Sequence, residues 1–150
     1  MRQRILPQFV VGVYLLITFC TLLILAGCQS PQPIKITPKD TKGFIDFNTP
    51  MLVIDVREPD EFCNARGHIQ GARNYPWDSG VLQERFRELP PQAPIIVVSR
   101  SGRRSLKATE FLRARGYTKT LSMGGGMKAW EWDTELCVDP NSPENVELSQ

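Results

Sequence analysis

Residues 97–105 have the composition of an anion-binding loop that follows a strand. They read VVSRSGRRS: two β-branched residues, a serine, and then a turn rich in glycine and arginine. The glycine permits a tight turn whose backbone N–H groups can point inward, and the helix expected to follow contributes its positive dipole end. Such a combination favours an anion. The candidate anion-binding residues are Ser99, Arg100, Ser101, Gly102, Arg103, Arg104 and Ser105.

The first residue of this loop, Ser99, stands where a nucleophile is expected. A serine hydroxyl becomes a nucleophile only beside a general base. The chain has one histidine, His68, in a Gly-His-Ile turn, and a structural role is the favoured interpretation of that residue. An ordinary strand-to-helix turn with solvated arginines is the alternative reading of the loop. The loop taken alone favours this alternative.

Strands that alternate with helices must position the loop. Continuous apolar runs predict buried strands at 51–56 and 94–98, with shorter strands at 34–37, 72–75 and 119–122. Helices are predicted from Pro38 onward and at 59–62, 82–89 and 105–116, with a last helix opened by the glycines at 124–126.

This alternation predicts an α/β fold with a parallel sheet. Ligands bind beyond the carboxyl ends of the strands in such sheets, so Asp55 and Ser99 should lie at neighbouring strand ends. The expected core residues are Val53, Ile54, Phe62, Ile96, Val97, Phe111, Leu112 and Trp130.

Four motifs in register resemble a single-domain rhodanese. They are IDVRE with EF (54–62), GHI with GA (67–72), the loop at 99–105, and GGMKAW (125–130). The resemblance covers about residues 34–138 and implies a five-stranded parallel sheet flanked by helices. It also implies a loop of pattern C-x-x-G-x-R-S. In the family, the cysteine thiolate of this loop takes a sulfane sulfur from a donor such as thiosulfate and passes it to a thiophilic acceptor such as cyanide.

The departure from the family pattern falls on the nucleophile. Gly102, Arg104 and Ser105 match the loop, whereas Ser99 stands at the cysteine position. Hydrogen bonds and nearby positive charge can convert a thiol of pKa about 8.5 into a thiolate. A serine hydroxyl starts several units higher, and an oxygen–sulfur bond is not a workable sulfur carrier. Phosphatase chemistry is also disfavoured, because the related phosphatases use a loop one residue longer.

We therefore expect a rhodanese-like pseudoenzyme that binds a small anion or an envelope protein. The alternative is a functional sulfurtransferase, using thiosulfate or another sulfane-sulfur donor, in envelope sulfur handling. We expect neither a cofactor nor a metal, and a monomeric chain. Without Arg2 and Arg4, 16 of the 18 basic residues remain against 16 acidic ones, so the net charge of the predicted mature chain is near zero. This balance argues against nucleic-acid binding.

The N-terminal sequence predicts an envelope protein. Arg2 and Arg4 precede an uncharged, mostly apolar run at 9–28, as in a secretory signal. The ending Leu-Ala-Gly-Cys resembles the lipobox of bacterial lipoproteins, in which the cysteine, here Cys28, is acylated and becomes the N-terminus. The predicted organisation is a signal peptide (1–27), a tether (28–33), the domain (34–138) and a polar acidic tail (139–150). An uncleaved membrane anchor is the alternative, and both place the domain on the periplasmic or exterior side.

Two cysteines remain in the predicted mature domain, Cys63 and Cys137. In an oxidising compartment they are expected to form a disulfide. Two separate buried thiols are the alternative.

Overall fold

The computed structural model describes residues 34–137, which form a five-stranded parallel sheet with flanking helices. The strands are β1 (Lys35–Ile36), β2 (Leu52–Asp55), β3 (Arg73–Asn74), β4 (Ile95–Val98) and β5 (Thr120–Met123), in the spatial order β1-β5-β4-β2-β3. The predicted fold class is confirmed. The predicted signal peptide, tether and acidic tail, with Cys28, lie outside the described residues.

The helices differ from their predicted bounds at the ends. They are α1 (Pro38–Asp46), α2 (Pro59–Phe62), α3 (Val81–Arg85) and α4 (Arg103–Arg113), with 3-10 turns at Phe86–Glu88 and Gly126–Ala129. The backbone N–H of Asp40 donates to Thr37 Oγ1 at 3.1 Å, so Thr37 caps α1. α4 begins two residues earlier than predicted because Gly102, at φ +88°, ends the loop and acts as its N-cap.

The two faces of the sheet each carry an apolar core. Side chains alternate along a strand, so Ile54 faces one cluster and Val53 the other. The first cluster packs under α3 and α4, with Leu82 and Leu112 fully buried. Seven of the predicted core residues are buried: Val53, Ile54, Phe62, Ile96, Val97, Leu112 and Trp130. The eighth, Phe111, is partly buried against the first cluster, because it lies toward the solvent side of α4.

A buried ion pair ties the carboxyl end of β2 to the chain that follows. Arg57 Nη2 lies 2.7 Å from Asp55 Oδ2, and both side chains are almost completely buried. The same guanidinium donates to the carbonyl oxygens of Glu61 at 2.8 Å and Gly67 at 3.0 Å. Losing one partner of a buried pair typically costs about 3–5 kcal/mol, since the other charge is left unpaired. The pair therefore fixes α2 against the sheet.

A disulfide and a short antiparallel bridge hold the last described segment of the chain. Cys63 and Cys137 are bonded, with Cα atoms 5.2 Å apart, and both residues are exposed. The backbones of His68 and Glu135 exchange hydrogen bonds of 2.9 and 2.8 Å. The His68 ring is buried and stacks on Phe62, with centroids 3.8 Å apart. These contacts hold His68 between Phe62 and the segment around Glu135, which supports a structural role for this residue.

Candidate functional site

The loop at 99–105 lies at the carboxyl edge of the sheet. β4 pairs in parallel with β2, which places Val98 opposite Asp55. Ser99 follows directly and is 1% exposed, and the loop then leads into α4. Asp55 and Ser99 therefore lie at neighbouring strand ends, as predicted.

The hydroxyl of Ser99 is the centre of the loop's hydrogen bonds. The backbone N–H groups of Gly102 and Ser105 donate to Ser99 Oγ at 3.1 and 3.2 Å. Ser99 Oγ donates to Ser105 Oγ at 3.2 Å, and Ser105 Oγ lies 2.9 Å from Ser122 Oγ. Two N–H groups of the loop thus converge on one side-chain oxygen, an arrangement that would stabilise negative charge on that atom.

Within residues 34–137, no general base hydrogen-bonds to Ser99 Oγ. Its partners are two backbone N–H groups and the hydroxyl of Ser105. His68 Nδ1 lies 3.4 Å from the carbonyl oxygen of Phe62 instead. A general base must lie within hydrogen-bond reach of the proton that it takes. Within the described residues, therefore, no base is placed to take the proton of Ser99.

The glycine-rich segment at 124–129 closes the loop from its other side. The N–H of Met127 donates to the carbonyl oxygen of Ser99 at 2.8 Å, and that of Lys128 to Arg100 at 3.0 Å. Gly126 has φ +58°, and a Cβ on it would lie 2.1 Å from the Ser99 carbonyl oxygen. This close approach requires glycine, so the segment fixes the backbone on which Ser99 is presented.

Arg104 is held by two carboxylates at the mouth of the loop. Its Nη2 lies 2.6 Å from Glu61 Oε2 and its Nη1 3.0 Å from Asp78 Oδ2. Partial burial lowers the pKa of Arg104, but the hydrogen bonds and attraction of Glu61 and then Asp78 outweigh it and hold the pKa above its ordinary value. Glu58 accepts the backbone N–H of Asp78 at 3.1 Å and so positions that carboxylate. Arg104 therefore holds Glu61 and Asp78 in place at the mouth of the loop, in addition to contributing positive charge.

A cavity of about 590 Å³ opens beside the loop. Five basic side chains and two carboxylates line it, together with Trp77 and Ser101; the charged ones are Arg100, Arg103, Arg104, Lys107, Lys128, Glu61 and Asp78. With Arg104 paired to the two carboxylates, the remaining four cations give the cavity a net positive charge. A positively charged concave surface attracts anions.

Residues 34–137 hold no group of His, Cys, Asp and Glu side chains placed to bind a metal ion. None of the helices there is long and apolar enough to cross a membrane.

Four of the seven predicted loop residues, Arg100, Ser101, Arg103 and Arg104, line the cavity, whereas Ser99, Gly102 and Ser105 form the backbone turn beside it. The sequence analysis missed the other charged residues of the cavity. Glu61, Asp78, Lys107 and Lys128 line the same cavity, although they come from four separate parts of the chain. The cysteines 63 and 137 are not among its lining residues. The four-residue spacing of Arg103 and Lys107 places both on one side of α4, which is the sequence signal that could have identified Lys107.

Comparison with known proteins places the chain among relatives of this architecture. The family model of the rhodanese-like domain matches residues 37–132. The uncharacterized protein YqhL of Bacillus subtilis is 40% identical over 78 residues, which are 52% of this chain and 59% of that protein. Thiosulfate sulfurtransferase 18 of Arabidopsis thaliana is 39% identical over 106 residues, covering 63% of this chain and 71% of that one.

A solved structure agrees with the fold. The crystal structure of a rhodanese-like domain protein from Staphylococcus aureus superposes with a TM-score of 0.62 at 27% identity, covering 69% of this chain and 98% of that one. The residues matched by the family model include both the loop at 99–105 and the glycine-rich segment that closes it.

Proposed function

The chain belongs to the rhodanese-like domain family, and from this premise we propose that it is a member without sulfur-transfer activity that binds anions beside Ser99. The ligand is a small oxyanion or an acidic group presented by another envelope protein. Ser99 takes the position of the family's sulfur-carrying cysteine, because Gly102, Arg104 and Ser105 match the rest of the loop pattern.

The observation that carries this proposal is the environment of Ser99 Oγ. Two backbone N–H groups converge on it, which suits a thiolate, yet the atom is a hydroxyl oxygen with no base bonded to it in residues 34–137. Oxygen cannot carry a persulfide sulfur. The loop therefore retains its shape and its positive surroundings while lacking the atom that performs the family reaction.

Anion binding needs only the features that remain. Arg100, Arg103, Lys107 and Lys128 line the cavity beside the loop. Their charges are set close together on a concave surface, where attraction to an anion is stronger than at an isolated surface charge. An anion in the cavity would relieve repulsion among these four cations.

Isothermal titration calorimetry of the full chain with sulfate and with thiosulfate tests anion binding. We expect saturable binding that weakens about tenfold, or about 1.4 kcal/mol, in an Arg103→Gln/Lys107→Gln variant. The matched control is Lys119→Gln, which removes an exposed lysine immediately before β5, at the opposite edge of the sheet. Equal affinities in wild type and the double variant, or equal losses in the two variants, would argue against the cavity as the binding site.

Sulfur transfer is the second candidate function. It is supported by a relative of 39% identity that is named a thiosulfate sulfurtransferase. For this chain it would require a route that does not use a cysteine at position 99. The sulfur-transfer assay described at the end of the Discussion separates the two functions.

We further propose that the mature protein begins at a lipidated Cys28 and lies on the outer side of a membrane. The support is the sequence Leu25-Ala26-Gly27-Cys28 directly after the apolar run. Two or three acyl chains on one cysteine would anchor the protein stably.

Changing Cys28 to alanine should abolish incorporation of labelled fatty acid and leave the precursor unprocessed. Immunoprecipitation after metabolic labelling measures the first, and the size of the protein on a gel measures the second. Unchanged labelling in this variant would show that Cys28 is not the acylated residue.

A further inference from the structure

We propose that the end of α1 rests on the membrane surface to which the protein is anchored, through Phe44 and Phe47. This inference rests on the membrane anchor in the proposed function. Phe47 is 85% exposed and Phe44 39% exposed. Among the described residues, Leu136 is the only other large hydrophobic side chain that is exposed. Two of the three therefore lie three residues apart, Phe44 in the last turn of α1 and Phe47 at its C-cap.

The fold places these two aromatics at the amino edge of the sheet. α1 joins β1 to β2, and both strands run parallel to β4 and β5. A helix between two parallel strands must run back from the carboxyl edge to the amino edge. Phe47 follows α1, and β2 begins only five residues later at Leu52. The exposed aromatics thus lie at the edge opposite to Ser99.

The distance along the chain to the proposed anchor is short. Six residue steps separate Cys28 from Ile34, the first described residue. A fully extended chain covers about 3.3–3.6 Å per residue, so Ile34 lies within about 20 Å of an acylated Cys28. β1 is entered from the side that faces the amino edge. A domain held so closely must turn some face toward the lipid, and the anchor favours the face that holds Phe47.

The chemistry of this patch suits the headgroup region of a bilayer. Aromatic side chains insert at this level, and lysines beside them pair with lipid phosphates. Lys35 is exposed on β1, the strand that the chain enters from the amino edge. A groove of about 550 Å³, lined mainly by apolar groups that include Ile36 and Leu121, runs from Phe44 toward the start of α1. Membrane contact would cover apolar surface that is otherwise in water.

This orientation has a consequence for the proposed function. With the amino edge on the lipid, the cavity beside Ser99 opens away from the bilayer. Anions or acidic partners in the surrounding compartment would reach it without competition from lipid phosphates. The two faces of the domain would then have separate roles, one in docking and one in ligand binding.

Quenching of an introduced tryptophan by brominated lipid tests the docking. The lipidated full-length protein is reconstituted in vesicles of phosphatidylethanolamine and phosphatidylglycerol containing phosphatidylcholine brominated near the headgroup end of its acyl chains. Phe47→Trp is compared with Ser101→Trp, a control because Ser101 is exposed in the loop at the opposite, carboxyl edge of the sheet. The signal of the parent, which contains Trp77, Trp130 and Trp132, is subtracted from each.

We expect quenching of the tryptophan at position 47 to be at least twofold greater than that at position 101. Equal quenching at the two positions would overturn the proposal. Weak quenching at both, together with covalent dimers on crosslinking that disappear in Phe44→Ser/Phe47→Ser, would overturn it in favour of a second copy of this chain on the patch. The mass of the mature N-terminus reports separately on lipidation, so a failed anchor and a failed docking surface are distinguishable.

Discussion

Replacing Ser99 by cysteine is expected to create a thiol whose pKa lies at least one unit below the ordinary value of about 8.5. The N–H groups of Gly102 and Ser105 already converge on the side-chain atom at this position. They would stabilise a thiolate, as would the N-terminus of α4 and the nearby arginines. Burial of Ser99 acts in the opposite direction, because it disfavours the charged form. We expect the hydrogen bonds and positive charge to prevail.

The pH dependence of alkylation by iodoacetamide measures this pKa. Rates rise with pH as the thiolate forms, and the midpoint gives the pKa of the thiol. Ser101→Cys is the matched control, since Ser101 lies in the same loop but is exposed. Its thiol should titrate near 8.5. The disulfide keeps Cys63 and Cys137 out of the measurement, provided that no reductant is present, and the alkylation of Cys20 and Cys28 in the wild-type chain is subtracted. Equal midpoints for positions 99 and 101 would show that the loop no longer activates its first residue.

The sheet was predictable because each of its longer strands has a local sequence pattern that identifies it. β2 and β4 are continuous apolar runs, as expected for strands buried on both faces. The position of Ser99 followed from this alone, because the residue after a parallel strand lies at the carboxyl edge. Helix ends were less predictable. The helix predicted at 82–89 is α3 followed by a 3-10 turn. The two differ in whether each N–H bonds to the carbonyl four or three residues earlier, which apolar spacing does not reveal.

The partners of Arg104 could not be predicted from the sequence. Glu61 and Asp78 reach it from 43 and 26 residues away, so the contact depends on how α2 and the loop before α3 meet above the sheet. The glycine-rich segment was predicted only as a helix start. Its contact with Ser99 requires the backbone of Gly126 to pass within reach of another backbone, which a single sequence does not reveal.

The pairing of Cys63 with Cys137 could be predicted only in part. Counting identified the two residues, because the other two cysteines lie in or directly after the apolar N-terminal run. Whether they could meet depended on the last described segment folding back over α2, where the bridge between His68 and Glu135 holds it. Counting therefore supplied the candidates, while the tertiary structure supplies the geometry.

Wild-type protein is expected to show no transfer of sulfur from thiosulfate to cyanide above the uncatalysed rate. In the family reaction a thiolate attacks the sulfane sulfur of thiosulfate, sulfite leaves, and a persulfide forms. Cyanide then takes that sulfur as thiocyanate and regenerates the thiolate. Ser99 can supply neither the thiolate nor the persulfide, because its side-chain nucleophile is an oxygen with no base bonded to it within residues 34–137.

The most direct test measures thiocyanate formation by the full chain, without reductant, in wild type, Ser99→Ala and Ser99→Cys. We expect background rates in the first two proteins and formation of thiocyanate above background in Ser99→Cys, because the loop retains the N–H groups and cations that activate a thiol. Turnover of thiosulfate by wild-type protein at a rate unaffected by Ser99→Ala would contradict it, since sulfur would then be carried by a group outside this loop.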